Sequence, residues 1–531
     1  MSPKDTTEAL KTATRPVAVI DVGTLAIRMQ LAEIGADGTV RLLDLLQKPV
    51  ALGKDSFTRG RLQQPTIEQC VAIFTGFHQV MQEHGITRPD QVLAVATSAV
   101  REALNRDTLL DRIYTATGLT IRVIDEAEEN RLMYLAFETL AAADADLKNG
   151  DALLIEIGGG STEVLLVQQE RVAFAETYKL GSLRMHETLE ACRAPAERAR
   201  AILTQHIERT IESIRRSVPA TKSLRFIAMS GDARFAAAQL GAKLAEAPCA
   251  RLDLKTFAAF AEKTMGSTPE RLVKRHKLPF QEAETVGPSL LAYVLLARAF
   301  KVEQLIVPRI SLRDGLLREM ATRDIWSGAF GEQVLHAAWL LARRYQIEED
   351  HAKHVAELCA KLFNELQPEH RMGRRHFFLL QAAAIMHEVG GYVSNRSHHK
   401  HSMYLIANSD LFGLTREDLA IIALVARYHR RAVPSATHLE YAALDRDSRI
   451  AVSKMAALLR VADALDRGHI QQVRDFTCAR EPGRFVLTVP QAEDLTLERL
   501  AVREKGNLFE EMFGMTIVLR EGRATTAEAP A

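Results

Sequence analysis

The sequence predicts an α/β N-terminal half followed by an all-helical domain and a small α+β C-terminal unit, and three observations predict it. Short apolar runs alternate with helical stretches up to about residue 320. A design of apolar strand, acidic residue, glycine turn and hydroxyl occurs twice within that half. Histidine use then changes: 12 of the 17 histidines lie between His336 and His469, and only five precede them.

The runs Val17 to Asp21, Gln91 to Thr97, Thr120 to Ile124, Ala152 to Glu156 and Arg225 to Met229 have the length and apolar character of buried strands. The repeat sets Val19-Ile20-Asp21-Val22-Gly23-Thr24 against Leu154-Ile155-Glu156-Ile157-Gly158-Gly159-Gly160-Ser161-Thr162, 135 positions later. Two more strands follow each copy, Ile27 to Ile34 and Val40 to Leu46 after the first, Glu163 to Val167 and Arg171 to Thr177 after the second. Two such subdomains facing each other create a cleft with a glycine loop and a carboxylate on either side. Downstream, Gln333 to Tyr345, His354 to Leu366 and Phe377 to Met386 place apolar residues at helical spacing. The tail reads strand (Phe485 to Val489), helix (Leu495 to Phe513), strand (Met515 to Leu519) and a disordered Ala/Thr/Pro end. The expected domains are 1–130, 131–320, 321–475 and 476–531.

Composition excludes several classes. The 531 residues are 47% hydrophobic and 25% charged, the balance of an ordinary folded chain. With 68 Lys plus Arg against 67 Asp plus Glu, the net charge of +1 offers no global pull on nucleic acid or membrane, so any anion site is local. Five scattered cysteines form no C-x-x-C pair, which argues against a disulfide framework or zinc ribbon. With a polar N-terminus and no long apolar run, the expectation is a cytoplasmic location.

Gly158-Gly159-Gly160 runs from a strand into Ser161 and Thr162, so several backbone N–H groups can converge on phosphate without Cβ obstruction. Gly23 and Thr24 repeat the arrangement in the first copy. Asp21, Glu156 and Glu163 are the candidate Mg²⁺ ligands, with Glu163 alternatively orienting a water and Glu156 holding the metal through water. Arg101, in Ala96-Thr97-Ser98-Ala99-Val100-Arg101, stands where a strand ends and a helix starts, so helix dipole and guanidinium act together on an anion. Asp125-Glu126-Ala127-Glu128-Glu129 crowds four carboxylates at a helix start; one of them, turned into the cleft, is a candidate general base. Ser230 and Gly231 offer another ring of donors, or an ordinary helix cap.

These stretches, with Glu128-Glu129-Asn130-Arg131-Leu132 and Leu180-Gly181-Ser182-Leu183-Arg184, occur in the order seen in the exopolyphosphatase and guanosine pentaphosphate phosphohydrolase (Ppx/GppA) family, which the chain resembles over nearly its whole length. The resemblance implies two ribonuclease-H-like halves of the sugar kinase, Hsp70 and actin superfamily, and Mg²⁺-dependent release of terminal phosphate from inorganic polyphosphate or guanosine pentaphosphate. It implies further that Glu129 activates water, Glu163 is metal-linked and Arg101 grips phosphate. A homodimer is also implied by the resemblance alone.

The chain departs from the family pattern at Leu25 and Ala26, where polar residues are usual, at Asp125-Glu126 in place of Ser-Gly, and at Glu156 in place of Asp. The extra methylene of Glu156 displaces its carboxylate by ~1 Å, a shift that can cost ~100-fold in rate. These departures support an alternative expectation, a protein that binds polyphosphate or guanosine penta- and tetraphosphate with weak or lost hydrolysis. In the helical domain His354, His387, Glu388 and Asp463 follow the order of the HD phosphohydrolase pattern, with Glu388 in place of Asp, and are candidate ligands for one divalent metal. That pattern allows a third reading, nucleotide hydrolysis in the helical domain. His398, His399 and His401, with Arg430 and Arg431, form a cationic patch able to hold a polyanion.

Overall fold

The computed structural model describes residues 14–522 apart from 193–195, 220, 222, 245–246, 323–325, 327–328, 431 and 491–493. The chain divides into two compact units, Met1–Ile325 and Trp326–Ala531.

In the first unit, β1 (Thr14–Val22), β2 (Ala26–Gly35), β3 (Val40–Pro49), β4 (Val92–Ala96) and β5 (Ile121–Val123) form a sheet ordered β3-β2-β1-β4-β5. The pairs β1/β2 and β2/β3 are antiparallel, whereas β4 lies parallel to β1 and β5 parallel to β4. The second sheet repeats the scheme with β6 (Asp151–Ile157), β7 (Thr162–Gln168), β8 (Arg171–Tyr178) and β9 (Leu224–Ala228). Here β6/β7 and β7/β8 are antiparallel and β9 is parallel to β6. Two strands absent from the sequence prediction, β10 (Cys249–Asp253) and β11 (Gln304–Pro308), extend this sheet to β10-β11-β9-β6-β7-β8.

β1 and β6 are central, and central strands covered on both faces read as continuous apolar runs. Val17 to Ile20 are fully buried, as are Ala152 to Ile155. One face of the first sheet packs on Phe74, Phe77 and Ile113. The other packs on Leu132 and Leu135 from helix Glu126–Ala143 and on Leu312, Leu316 and Leu317 from helix Leu312–Ala321. The division at residue 130 therefore runs through a helix, and the chain returns to the first sheet after completing the second. Gly315 permits the crossing of these two helices, since a Cβ there would stand 2.2 Å from the Leu132 carbonyl oxygen.

The second unit is helical, with helices Ala329–Arg344, Glu349–Glu365, Arg374–Met386, His398–Ala407, Arg416–Arg427 and Arg446–Leu465. Its last part adds β12 (Thr477–Glu481), β13 (Arg484–Pro490) and β14 (Thr516–Gly522), ordered β12-β13-β14. β12 was not anticipated, and the expected helix Leu495 to Phe513 is two helices, Thr496–Lys505 and Asn507–Phe513, parted at Gly506. The tail is not a free-standing fourth domain. Arg460, 1% exposed, donates to the Lys505 carbonyl at 2.9 Å and to Asn507 Oδ1 at 2.8 Å, which locks the tail helices to Arg446–Leu465. The expected disordered end, from residue 523 onward, lies outside the described residues. Among the described residues no helix is long and apolar enough to cross a membrane.

Candidate active site

The two glycine loops have the same turn. Gly23 N–H donates to the Ala26 carbonyl at 3.1 Å, and Gly158 N–H donates to the Ser161 carbonyl at 2.9 Å. They meet face to face: a Cβ on Gly159 would stand 2.6 Å from Thr24, and one on Gly160 would stand 2.5 Å from Ser98 Oγ. Glycine at both positions is thus a condition of closure. The start of helix Ser182–Ala191 braces the second loop from behind, with Ser182 and Leu183 N–H donating to the Gly158 and Gly159 carbonyls at 2.8 and 3.0 Å. Arg184 Nε donates to the Gly160 carbonyl at 2.7 Å. With its carbonyls and the Gly158 amide engaged in this way, the loop has the Gly159 and Gly160 amides left to meet an anion.

A cavity of about 110 Å³ lies between the loops, lined by Asp21, Gly23, Thr24, Glu129, Glu156, Gly158, Gly159, Ser161 and Glu163, together with Arg28, Thr97, Ser98 and Leu312. Strand register explains how its charges are placed. In the first sheet Asp21 stands opposite Arg28, while in the second Glu156 stands opposite Glu163. Like charges directly opposed across a strand pair are destabilising, so the second arrangement calls for a cation that the first does not. Asp21 is already countered by Arg313 at 3.3 Å and Arg28 at 3.9 Å. Glu163 Oε1 is buried without a hydrogen-bond partner. A divalent cation fits this donor set, held by Glu156 and Glu163.

Burial is the main force on these carboxyls. It pushes Glu156 up to about 7 against the pull of Arg234, with Asp21 and Glu129 adding to the rise. Glu163 is driven well above the usual carboxylate range by burial and by Glu129 and Glu156. Glu129 is raised by burial and held back by Arg101. Arg101 grips Glu129 through Nη1, which also donates to the Ile124 carbonyl at 2.7 Å, and its Nη2 lies 3.2 Å from Glu126. The arginine expected to hold phosphate here holds the candidate base.

Other expected residues have structural partners. Thr162 Oγ1 donates to the Leu180 carbonyl. Ser230 Oγ accepts from Ala233 N–H at 3.1 Å as the cap of helix Gly231–Gln239, and neither Ser230 nor Gly231 lines the cavity. Asp125 likewise caps its helix, accepting from Glu128 N–H at 2.9 Å. Sequence reasoning missed Arg28, Arg234, Arg313 and Tyr293. Arg101, Arg234 and Arg313 share one signal, a position in the first turn or two of a helix that follows a strand. Tyr293, fully buried, accepts from Ile157 N–H at 3.1 Å and donates to the Ile155 carbonyl at 3.2 Å, pinning the strand on both sides of Glu156.

The helical unit corrects two expectations. His387 and Asp463 do come together, but the histidine beside them is His351, one turn before His354, because Asp466 Oδ2 accepts from His351 Nδ1 at 2.8 Å and holds that ring in the cluster. Glu388 reaches a neighbouring group with His351 and His469. The cationic patch is also reduced. His398 turns to His429, with Nε2 atoms 3.2 Å apart, and burial followed by Arg430 lowers the His399 pKa to about 4, which leaves that ring neutral. His401 is half-buried, Arg430 is partly exposed and Arg431 lies outside the described residues.

The chain is similar to proteins of known kind over most of its length. It is 24% identical over 493 residues to the guanosine-5′-triphosphate,3′-diphosphate pyrophosphatase of Aeromonas salmonicida, covering 89% of this chain and 92% of that protein. The protein of the same name from Photobacterium profundum is 22% identical over 512 residues, covering 95% and 98%. Among solved structures, an exopolyphosphatase from Cytophaga hutchinsonii aligns with a TM-score of 0.51 at 20% identity, over 58% of this chain and 98% of that one, a likeness of fold. The pattern of the Ppx/GppA phosphatase family matches residues 34–324, and that of Ppx/GppA phosphatase domain III matches residues 336–500. With more than half of its length matched by the first pattern alone, the chain belongs to the Ppx/GppA phosphatase family.

Proposed function

We propose that the cleft of the first unit hydrolyses the terminal phosphoric anhydride bond of inorganic polyphosphate or of guanosine pentaphosphate, with orthophosphate as product. The single observation that carries this reading is the pairing of Glu129 with Arg101 at the wall of a cavity that two glycine loops close. The names of the full-length relatives point to the guanosine nucleotide, and that of the structural neighbour to polyphosphate.

The terminal phosphate enters between the loops, where backbone amides and the hydroxyls of Thr24, Ser98 and Ser161 meet its oxygens. Glu156 and Glu163 would hold Mg²⁺, which when bound supplies positive charge to the phosphate oxygens. Glu129 accepts a proton from water as the water oxygen bonds to phosphorus and the bridging P–O bond breaks, the electron pair leaving with the shortened chain or nucleotide. Its raised pKa suits this role, since a base is most effective when its pKa lies near the working pH. Arg101 aims the carboxylate and sits ready to meet negative charge developing on the phosphate.

The test is orthophosphate release by the full chain with Mg²⁺ from short polyphosphate, long polyphosphate and guanosine pentaphosphate. Release from at least one of them supports the proposal, and their relative kcat/KM identifies the substrate. Tight calorimetric binding with no release from any would establish instead the binding protein that Leu25 and Ala26 suggest.

A further inference from the structure

We propose that a second cavity of the first unit, walled by helices Leu254–Met265 and Pro269–His276, binds a nucleoside di- or triphosphate, with the nucleobase on Phe260 and Leu272 and the phosphates among Lys263, Arg271, Lys274 and Arg275. This cavity shares no lining residue with the one between the glycine loops, so the site goes beyond the hydrolytic reading and does not depend on it.

Size comes first. The cavity measures about 550 Å³, against about 110 Å³ for the cleft. Sites for small organic ligands span ~300–1,000 Å³, so a whole nucleotide has room here.

Charge then sets the class of ligand. Among the described residues the lining carries four side-chain cations and no carboxylate, and none of the four has an ion pair. The acids nearest in sequence are committed elsewhere: Glu262 pairs with Arg200, and Glu270 bonds Thr268 at the start of its own helix. An uncompensated group of like charges repels itself, and a bound anion relieves that repulsion. Helix dipoles account for only part of the group. Lys263, Lys274 and Arg275 stand in the last turns of their helices, where cations are favoured. Arg271 stands in the first turn of its helix, where a cation is disfavoured, so the dipole gives no reason for it. Guanidinium and ammonium groups together suit phosphate oxygens.

The walls are held in place from behind. Phe235, in helix Gly231–Gln239, has its ring centroid 6.0 Å from that of Phe260 and 5.5 Å from that of His276, the latter edge-on at 89°. Gln239 Oε1, on the same helix, accepts from His276 Nδ1 at 2.8 Å, which leaves Nε2 as the ring atom for a ligand. Burial lowers the His276 pKa, and Arg275 and Lys263 lower it further, as a positive potential in the cavity requires. The Thr264 and Ser267 hydroxyls donate to the Phe260 and Lys263 carbonyls at 2.9 and 2.8 Å. Recognition therefore falls to the cations and to the apolar floor. A floor of Phe260 and Leu272 under a cationic rim fits a ligand with a flat ring at one end and phosphates at the other. Inorganic polyphosphate has no group for that floor.

The test is calorimetric titration of the full chain with ADP, GDP and tripolyphosphate, together with photolabelling by 8-azido-ADP to locate the bound nucleotide. Label is expected on the segment 260–276, in the unaltered chain and in Glu129→Gln alike. Lys263→Gln combined with Arg275→Gln, both exposed positions, should weaken nucleotide binding ~10–100-fold with the melting temperature unchanged. Phe260→Leu should weaken nucleotide binding ~2–10-fold and leave tripolyphosphate binding as it was. No nucleotide binding by the unaltered chain, label confined to the glycine loops, or unchanged nucleotide affinity in the folded double variant would each overturn the proposal. Tripolyphosphate bound as tightly as either nucleotide and lost in the double variant, with Phe260→Leu affecting neither, would overturn the nucleobase site and establish a surface that holds polyphosphate instead.

Discussion

The cleft of the first unit and the histidine cluster of the second both gather buried ionisable groups, but they solve the problem of burial differently. In the cleft the donors are oxygens at strand ends, and Glu156 is set opposite Glu163 by sheet register, so the site is strained by its own charge. In the cluster the donors are mainly imidazoles on helices: burial lowers the His387 pKa, Asp466 raises that of His351 against burial, and Lys505 offsets the charge of Asp463. The contrast teaches what each site lacks: the cleft needs positive charge, and the cluster leaves two buried ring nitrogens, His351 Nε2 and His387 Nε2, without a hydrogen-bond partner.

Breaking the cleft should therefore have an unusual signature. Glu163→Gln is expected to lower phosphate release by ~100-fold or more while raising the melting temperature at neutral pH, because it removes a carboxyl whose ionised form burial and the facing Glu156 disfavour; the stability gain is about 1 kcal/mol by cross-strand arguments. A fall in both activity and stability would mean that Glu163 is a structural residue. Arg101→Ala should cost ~10²–10³-fold in kcat, with Arg101→Lys recovering part of it, since aim as well as charge is lost.

The comparison sharpens with pH. Glu156, Glu129 and Glu163 all have folded pKa values above their unfolded ones, so the protonated forms favour folding. Their contribution to stability is complete below the usual carboxylate pKa and is lost as pH rises through about 7, the Glu156 value. Without divalent ions the melting temperature should thus fall from pH 5 to pH 8, and Mg²⁺ should flatten that slope. A slope unaffected by Mg²⁺ would argue against Glu156 and Glu163 as its ligands. The smallest effect belongs to Tyr293→Phe, which leaves the buried Ile157 N–H without its acceptor. About 1–3 kcal/mol of stability should be lost, with kcat reduced more than KM is changed, as Glu156 loosens.

The cleft was legible because its carboxylates, glycines and hydroxyls sit in contiguous motifs at strand ends, where local spacing alone dictates convergence. Arg28 was hidden by register: it becomes a partner of Asp21 only once the β1/β2 turn is known to place them opposite each other. Tyr293 and Arg313 were hidden by chain distance, since helices from late in the first unit return to strands formed much earlier. In the helical unit His351 and His354 are three residues apart and share a helix face, so periodicity could not choose between them. The choice falls to Asp466, a residue 115 positions away. Leu25 and Ala26, apolar where relatives of this kind are expected to be polar, have backbone roles in the structure: Leu25 and Ala26 carbonyls accept from Val50 and Gly23 N–H at 3.0 and 3.1 Å.

The most direct test of the central claim is hydrolysis in ¹⁸O-labelled water, comparing the unaltered chain with Glu129→Gln on whichever substrate proves best. Water activated by Glu129 at the terminal phosphorus predicts orthophosphate carrying one solvent oxygen, formed ~10²–10⁴-fold more slowly by the variant. Labelled orthophosphate appearing at the same rate from both proteins would contradict the account.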